Sequence, residues 1–210
     1  MPSAVQTFLF AAALAWGSSV EATIITLNAG ASSGVGMTPT TGTGTSADPF
    51  VLTVTLAGDS PVAVISIDSR TDDPAGLGYD WSAYFRVIVT NISANTWSYM
   101  NNDLQVVLGI DSTEGDGLSF AQGNNAVRPF TCDLLPIVLE TTDVRDWINF
   151  REGSVMPGQT MTMNFVISDN SSNRERTDYL VLTPNLVPAA GTALPAALAV
   201  LAVARRRRAV

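Results

Sequence analysis

Apolar and polar residues alternate at period two through most of the interior of this chain. In Phe50-Val51-Leu52-Thr53-Val54-Thr55-Leu56 the larger apolar side chains Phe50, Leu52, Val54 and Leu56 fall on one face, the pattern of a half-buried β-strand. Val62-Ala63-Val64-Ile65-Ser66-Ile67 follows the same rule less strictly. The intervening Ala57-Gly58-Asp59-Ser60-Pro61 is turn chemistry, so the two runs read as a hairpin or as consecutive strands. Further runs at Thr23–Asn28, Trp81–Asn91, Leu104–Ile110, Leu134–Glu140, Asp146–Phe150, Gln159–Ser168 and Asp178–Thr183 bring the expectation to about nine strands.

No long amphipathic helix pattern interrupts these runs, and turn residues recur between them. An all-β, two-layer antiparallel β-sandwich follows, with jelly-roll connections as one option. Trp81, Tyr84, Phe85, Trp97, Phe120, Phe130, Trp147, Phe150 and Phe165 are the large side chains expected to fill the space between the layers. Two or three of them exposed on one face would instead form a platform for stacking sugars. The Gly/Ser/Thr-rich stretch Ala29–Asp48 buries little and reads as a mobile loop or an extended edge segment.

Both ends depart from this pattern. Phe8-Leu9-Phe10-Ala11-Ala12-Ala13-Leu14-Ala15-Trp16 is a short apolar core, and Val20-Glu21-Ala22 is a small-x-small cleavage site. Residues 1–22 therefore read as a signal helix, cut after Ala22. At the other end, Val187 to Ala204 is 18 residues without a charge, close to the roughly 20 that a membrane-crossing helix needs. Pro195 and many alanines make it a weak span. Arg205, Arg206, Arg207 and Arg208 follow and would hold that end in the cytoplasm. The expected organisation is a signal over 1–22, one β-sandwich domain over 23–186 and an anchor or sorting segment over 187–210.

Without its two ends the chain keeps 18 acidic residues against seven arginines, a net charge of −11. Such a surface repels phosphate backbones, which excludes nucleic acid as a partner. There is no Lys or His. A Ser-His-Asp or Cys-His nucleophile lacks its base, a Schiff-base lysine is ruled out, and zinc sites lack their imidazoles. Cys132 is the single cysteine, so it reads as a small buried apolar residue or as half of an intermolecular pair.

A signal segment, a β-rich body and a tail of Val187-Pro188-Ala189-Ala190-Gly191, apolar run and Arg block resemble the PEP-CTERM proteins sorted by exosortases. The tail has Pro188-Ala189-Ala190 where that family usually has Pro-Glu-Pro, and is more similar to its Val-Pro-Ala-Pro-Gly variants. Trp81–Asn91, Asp116-Gly117-Leu118-Ser119-Phe120-Ala121, Arg128-Pro129-Phe130 and Val155-Met156-Pro157-Gly158 occur in an order similar to the bodies of such proteins. The resemblance implies export to the envelope or beyond and transient residence of the C-terminal helix in the inner membrane. It also implies an exosortase-type enzyme as partner, and it implies no reaction.

Asp111-Ser112-Thr113-Glu114-Gly115-Asp116-Gly117 holds the best candidate chemistry, with Asp111, Glu114 and Asp116 bracketing a glycine turn. Hard oxygen ligands in one loop suit calcium, yet the spacing is not that of an EF-hand. The cluster reads as a calcium loop or as a solvated turn, and no other cofactor is expected. Asp68, Asp72 and Asp73 form a second acidic turn beside Arg70. Paired carboxylates can cleave a glycosidic bond without His or Lys, but Glu114, Glu140, Glu152 and Glu175 sit in no catalytic motif. Asn91-Ile92-Ser93 and Asn170-Ser171-Ser172 match the N-glycosylation pattern, read here as chance. The functional expectation is an exported, non-enzymatic surface or matrix-associated protein. A carbohydrate- or calcium-dependent binding module, with extracellular polysaccharide as partner, is the alternative, and a carboxylate-based glycosidase is a minor one.

Overall fold

Strands account for the regular structure of residues 23–68, 70, 73–113, 117–120, 130–141, 146–171 and 176–187, which the computed structural model describes. Thirteen form among them: β1 (Ile24–Leu27), β2 (Val35–Met37), β3 (Phe50–Leu56), β4 (Ala63–Asp68), β5 (Trp81–Asn91), β6 (Thr96–Val107) and β7 (Ile110–Asp111), then β8 (Leu118–Ser119), β9 (Thr131–Cys132), β10 (Ile137–Thr141), β11 (Trp147–Val155), β12 (Thr160–Asp169) and β13 (Asp178–Val187). No helix long and apolar enough to cross a membrane occurs among these residues. The expected signal helix with Ala22, and the C-terminal segment from Pro188 onward, lie outside them.

Two sheets pack into a β-sandwich. One has the order β1-β4-β13-β6-β11-β10, with β7 beside β6. The other runs β2-β3-β5-β12-β8, with β9 beside β12. The layers are not wholly antiparallel. β3 lies parallel to β5, from Phe50 opposite Phe85 to Leu56 opposite Asn91.

Of the two expected arrangements for these runs, consecutive strands is the one that forms, and the hairpin is corrected. β3 and β4 are consecutive but belong to different sheets, so the turn between them carries the chain across the edge of the sandwich. Leu52, Val54 and Leu56 on β3 and Ala63, Ile65 and Ile67 on β4 are all fully buried. Placing the two strands in opposite layers lets both apolar faces meet in one interior. The glycine-rich segment closes this crossover as an extended edge, not as a free loop. Ser33 exchanges backbone hydrogen bonds with Val62, and Ala57 donates to the Gly34 carbonyl at 2.7 Å. Gly34 has φ +63°, and a Cβ there would stand 2.1 Å from the Ala57 oxygen, so glycine is required.

Strand limits shift where tertiary pairing outweighs local pattern. The expected Leu104–Ile110 becomes the long β6 and the short β7, folded about Leu108-Gly109. The expected Asp178–Thr183 runs on to Val187, which pairs with Thr96. Thus Val187, the first residue of the expected sorting segment, is the last of β13. Pro184 is tolerated within β13 because β4 pairs only as far as Leu182, leaving one side without a partner strand.

The core is one continuous cluster. Phe85 stacks on Phe165 at 5.9 Å and meets Phe50 at 5.7 Å and Trp81 at 6.3 Å, while Phe120 meets Phe165 edge-on at 5.4 Å. Offset and edge-to-face pairs of this kind contribute about 0.5–1.5 kcal/mol each beyond their buried area. Trp81, Phe85, Trp97, Phe120, Phe150 and Phe165 are buried as expected, and Phe130 packs against the cluster. Tyr84 and Trp147 are only half-buried and lie on outer faces.

Candidate functional site: the outer face of the seven-stranded sheet

Strand pleating decides where Trp147 points. Ile148 and Phe150 are fully buried, so Trp147, Asn149 and Arg151 occupy the opposite face of β11. By the same rule Met100, Asn102 and Leu104 point inward on β6, and Tyr99, Asn101 and Asp103 outward. Thr183 and Asn185 join them from β13.

Register sets these residues in three rows across β13, β6 and β11. Val181, Asp103 and Trp147 form one, Thr183, Asn101 and Asn149 the next, and Asn185, Tyr99 and Arg151 the third. The middle row has short side chains, whereas Trp147 and Tyr99 rise in the flanking rows. The outcome is a shallow groove of about 530 Å³ lined by both aromatic rings and by Asn101, Asp103, Asn149, Thr183 and Asn185. Asn101 Nδ2 donates to Asp103 Oδ2 at 2.6 Å, which fixes the amide on the groove floor. Among the described residues, the side chains of Asn149, Thr183 and Asn185 make no hydrogen bond within the protein.

The acidic turns behave differently. Asp111 is half-buried in β7 opposite Gln105, while Glu114 and Asp116 lie outside the described residues. In the second turn, Asp68 accepts from Thr177 Oγ1. Asp73 accepts from Ser82 Oγ and, at 2.8 Å, from the Gly78 N–H. Asp72 lies outside the described residues. The described residues Gly117 and Arg70 of the two turns both lie beside Arg176: a Cβ on Gly117 would meet its guanidinium, and Arg70 donates to its carbonyl. Fully buried Arg70 holds Asp169 at 3.0 Å and Asp178 at 2.7 Å, and donates to the Ile67 and Arg176 carbonyls at 3.1 Å. Arg176 Nε donates to Asp178 at 2.8 Å. Burial pushes the Asp178 carboxyl above its ordinary range, against the pull of Arg70 and Arg176. Among the described residues no group of three or more Cys, Asp or Glu is placed to hold a metal ion.

The remaining candidates have structural surroundings. Cys132 is a buried free thiol on β9, and its burial raises the pKa, which lowers its thiolate fraction and hence its reactivity. Glu152 sits at φ 63° where β11 bulges between Arg151 and Val155, with its side chain 63% exposed. Of the other glutamates, Glu114 and Glu175 lie outside the described residues. Asn91 is fully buried, and its Nδ2 donates to the Asn95 and Val155 carbonyls at 2.8 and 2.9 Å. It cannot present an acceptor for glycosylation. Its carbonyl accepts from Gly158 N at 2.7 Å, so Asn91 and the Val155–Gly158 turn, far apart in sequence, form one knot.

Sequence reasoning missed Tyr99 and placed Trp147 inside. The signal for Trp147 was present: in Trp147-Ile148-Asn149-Phe150-Arg151 the tryptophan shares the parity of Asn and Arg, not of Phe. Tyr99 follows from the parity of Met100 and Leu104 once β6 is known to begin at Thr96. No known protein family, curated protein or solved structure matches the chain.

Proposed function

We propose that the chain is an exported, non-enzymatic surface or matrix-associated protein, held by its C-terminal segment through a weak membrane helix and sorted by an exosortase-type enzyme. Residues 1–22 serve as the removable export helix, and Arg205–Arg208 keep the far end cytoplasmic.

The observation that carries this reading is the position of β13. It lies between β4 and β6 in the seven-stranded sheet and runs directly into the tail. Antiparallel hydrogen bonds are perpendicular to their strands, so tension from an anchored tail along β13 loads the β6 ladder in shear from Val187 and the β4 ladder from Leu182. An anchor attached there pulls on the middle of the domain. The non-enzymatic reading draws on Asp169 and Asp178, which are held by Arg70 and Arg176, and on Asp68 and Asp73, which organise turns.

Fractionation and intact mass of the native protein from its host test the proposal. Loss of residues 1–22 and of the tail near Pro188 is the expected outcome, with the body in the envelope or the medium. A cytoplasmic protein that retains both ends would overturn it.

A further inference from the structure

We infer that the groove between Trp147 and Tyr99 binds an uncharged polysaccharide. A hexose ring offers an apolar C–H face and a rim of hydroxyls that both donate and accept. Its partner must supply aromatic area and unpaired, neutral hydrogen-bonding groups in one trough, and this groove supplies both.

The aromatic area comes from Trp147 and Tyr99, which belong to strands that fix their spacing. Tyr99 lies four residues along β6 from Asp103, the register partner of Trp147. At about 3.3 Å per residue their backbone positions stand roughly 13 Å apart along the strand direction, room for a short oligosaccharide along the groove. The hydrogen-bonding groups come from the row between the rings. Asn149 and Thr183 have side chains without protein partners among the described residues, and Asn101 is held on the floor by Asp103. An amide carries a donor and an acceptor together, which matches a hydroxyl in either sense.

Charge selects the class of polymer. Asp103 is the one carboxylate that lines the groove, and Arg151, in the third row, stands 3.9 Å from Glu152, on a body whose net charge is −11. A uronic acid polymer gains nothing in the groove and is repelled by the body. The site is built on three adjacent strands of one sheet, so it is preformed and no loop ordering opposes binding. Binding here is independent of export and of the tail.

Native affinity electrophoresis of the full chain, in a detergent without a sugar headgroup, decides the matter. The gels contain hydroxyethylcellulose, galactomannan or alginate. The expected result is retardation in at least one of the two neutral gels and none in alginate. Trp147→Ala and Tyr99→Ala should each weaken apparent affinity roughly tenfold, as aromatic anchors do, with Asn149→Ala following in the same direction. Tyr84→Ala, on the outer face of the other sheet, should leave migration unchanged. Matched melting temperatures exclude misfolding as the cause. Free migration in all gels, retardation in alginate alone, or unchanged retardation of the Trp147→Ala/Tyr99→Ala double variant would overturn the inference.

Discussion

The two ends of the sandwich are closed by buried polar side chains of opposite kinds. At the end where β5 begins and β12 finishes, the closure is ionic: Arg70 with Asp169 and Asp178, and Arg176 on Asp178. At the other end, where β5 finishes, it is neutral. Asn91 ties the Asn95 and Val155 carbonyls, and its Oδ1 accepts from the Ser93 N–H at 3.0 Å and from Ser93 Oγ at 2.7 Å. Both solve one problem, since strand ends leave polar groups that a buried layer cannot leave unpaired. They differ in what breaking them costs. A neutral amide leaves behind unpaired carbonyls, whereas a lost guanidinium leaves behind charge. The ionic end is therefore the more fragile to mutation, and its closure contains a carboxyl, Asp178, that burial shifts.

The largest effect is expected at Arg70. Arg70→Ala leaves the buried Asp169 carboxylate without its cation and Asp178 with Arg176 alone, a change that costs about 3–5 kcal/mol. Denaturant midpoints should show it, and high salt should reproduce little of it, because buried pairs are poorly screened. A loss below that of a surface variant would mean that water enters this end freely. Next comes Asn91→Ala, which orphans the Asn95 and Val155 carbonyls and should cost about 1–3 kcal/mol. Its penalty should not change between pH 4 and 7, as nothing it touches titrates.

The smallest effect concerns Asp178. With its folded pKa above the unfolded value, the native chain holds a proton where the unfolded chain has already lost it. Stability from this group therefore falls as pH rises through the interval between the two values, and is level above it. The advantage of the native protein over Asp178→Asn should accordingly widen as pH is lowered toward the ordinary carboxylate range. A narrowing would show that the pull of Arg70 and Arg176 outweighs burial.

Much of this architecture was legible because period-two alternation is a property of single strands. β3 and β5 have the limits their patterns predicted, and the interior-facing residues of β3 are those of one parity. The aromatic core followed from composition, except for two side chains on outer faces. What was not legible involves relations between distant segments. Gly58 and Pro61 mark a turn equally well whether the chain folds back or crosses to the other layer. Arg70 lies in a polar turn yet is fully buried, because its two partners arrive from 99 and about 108 residues later in the chain. Asn91 matched the glycosylation pattern by chance, and its role as a structural tie to Val155 involves a residue 64 positions away.

Sequence alone determined the class of fold, the apolar parity of its strands and the exclusion of His- and Lys-based chemistry, since each depends only on residue type and short-range spacing. Tertiary structure decided which strands share a sheet, which turn became a crossover, and which outward residues stand side by side. The grouping of Tyr99, Asn101, Trp147, Asn149 and Thr183 is of this second kind. Each is an unremarkable residue in its own strand, and only the register of β13, β6 and β11 makes them neighbours.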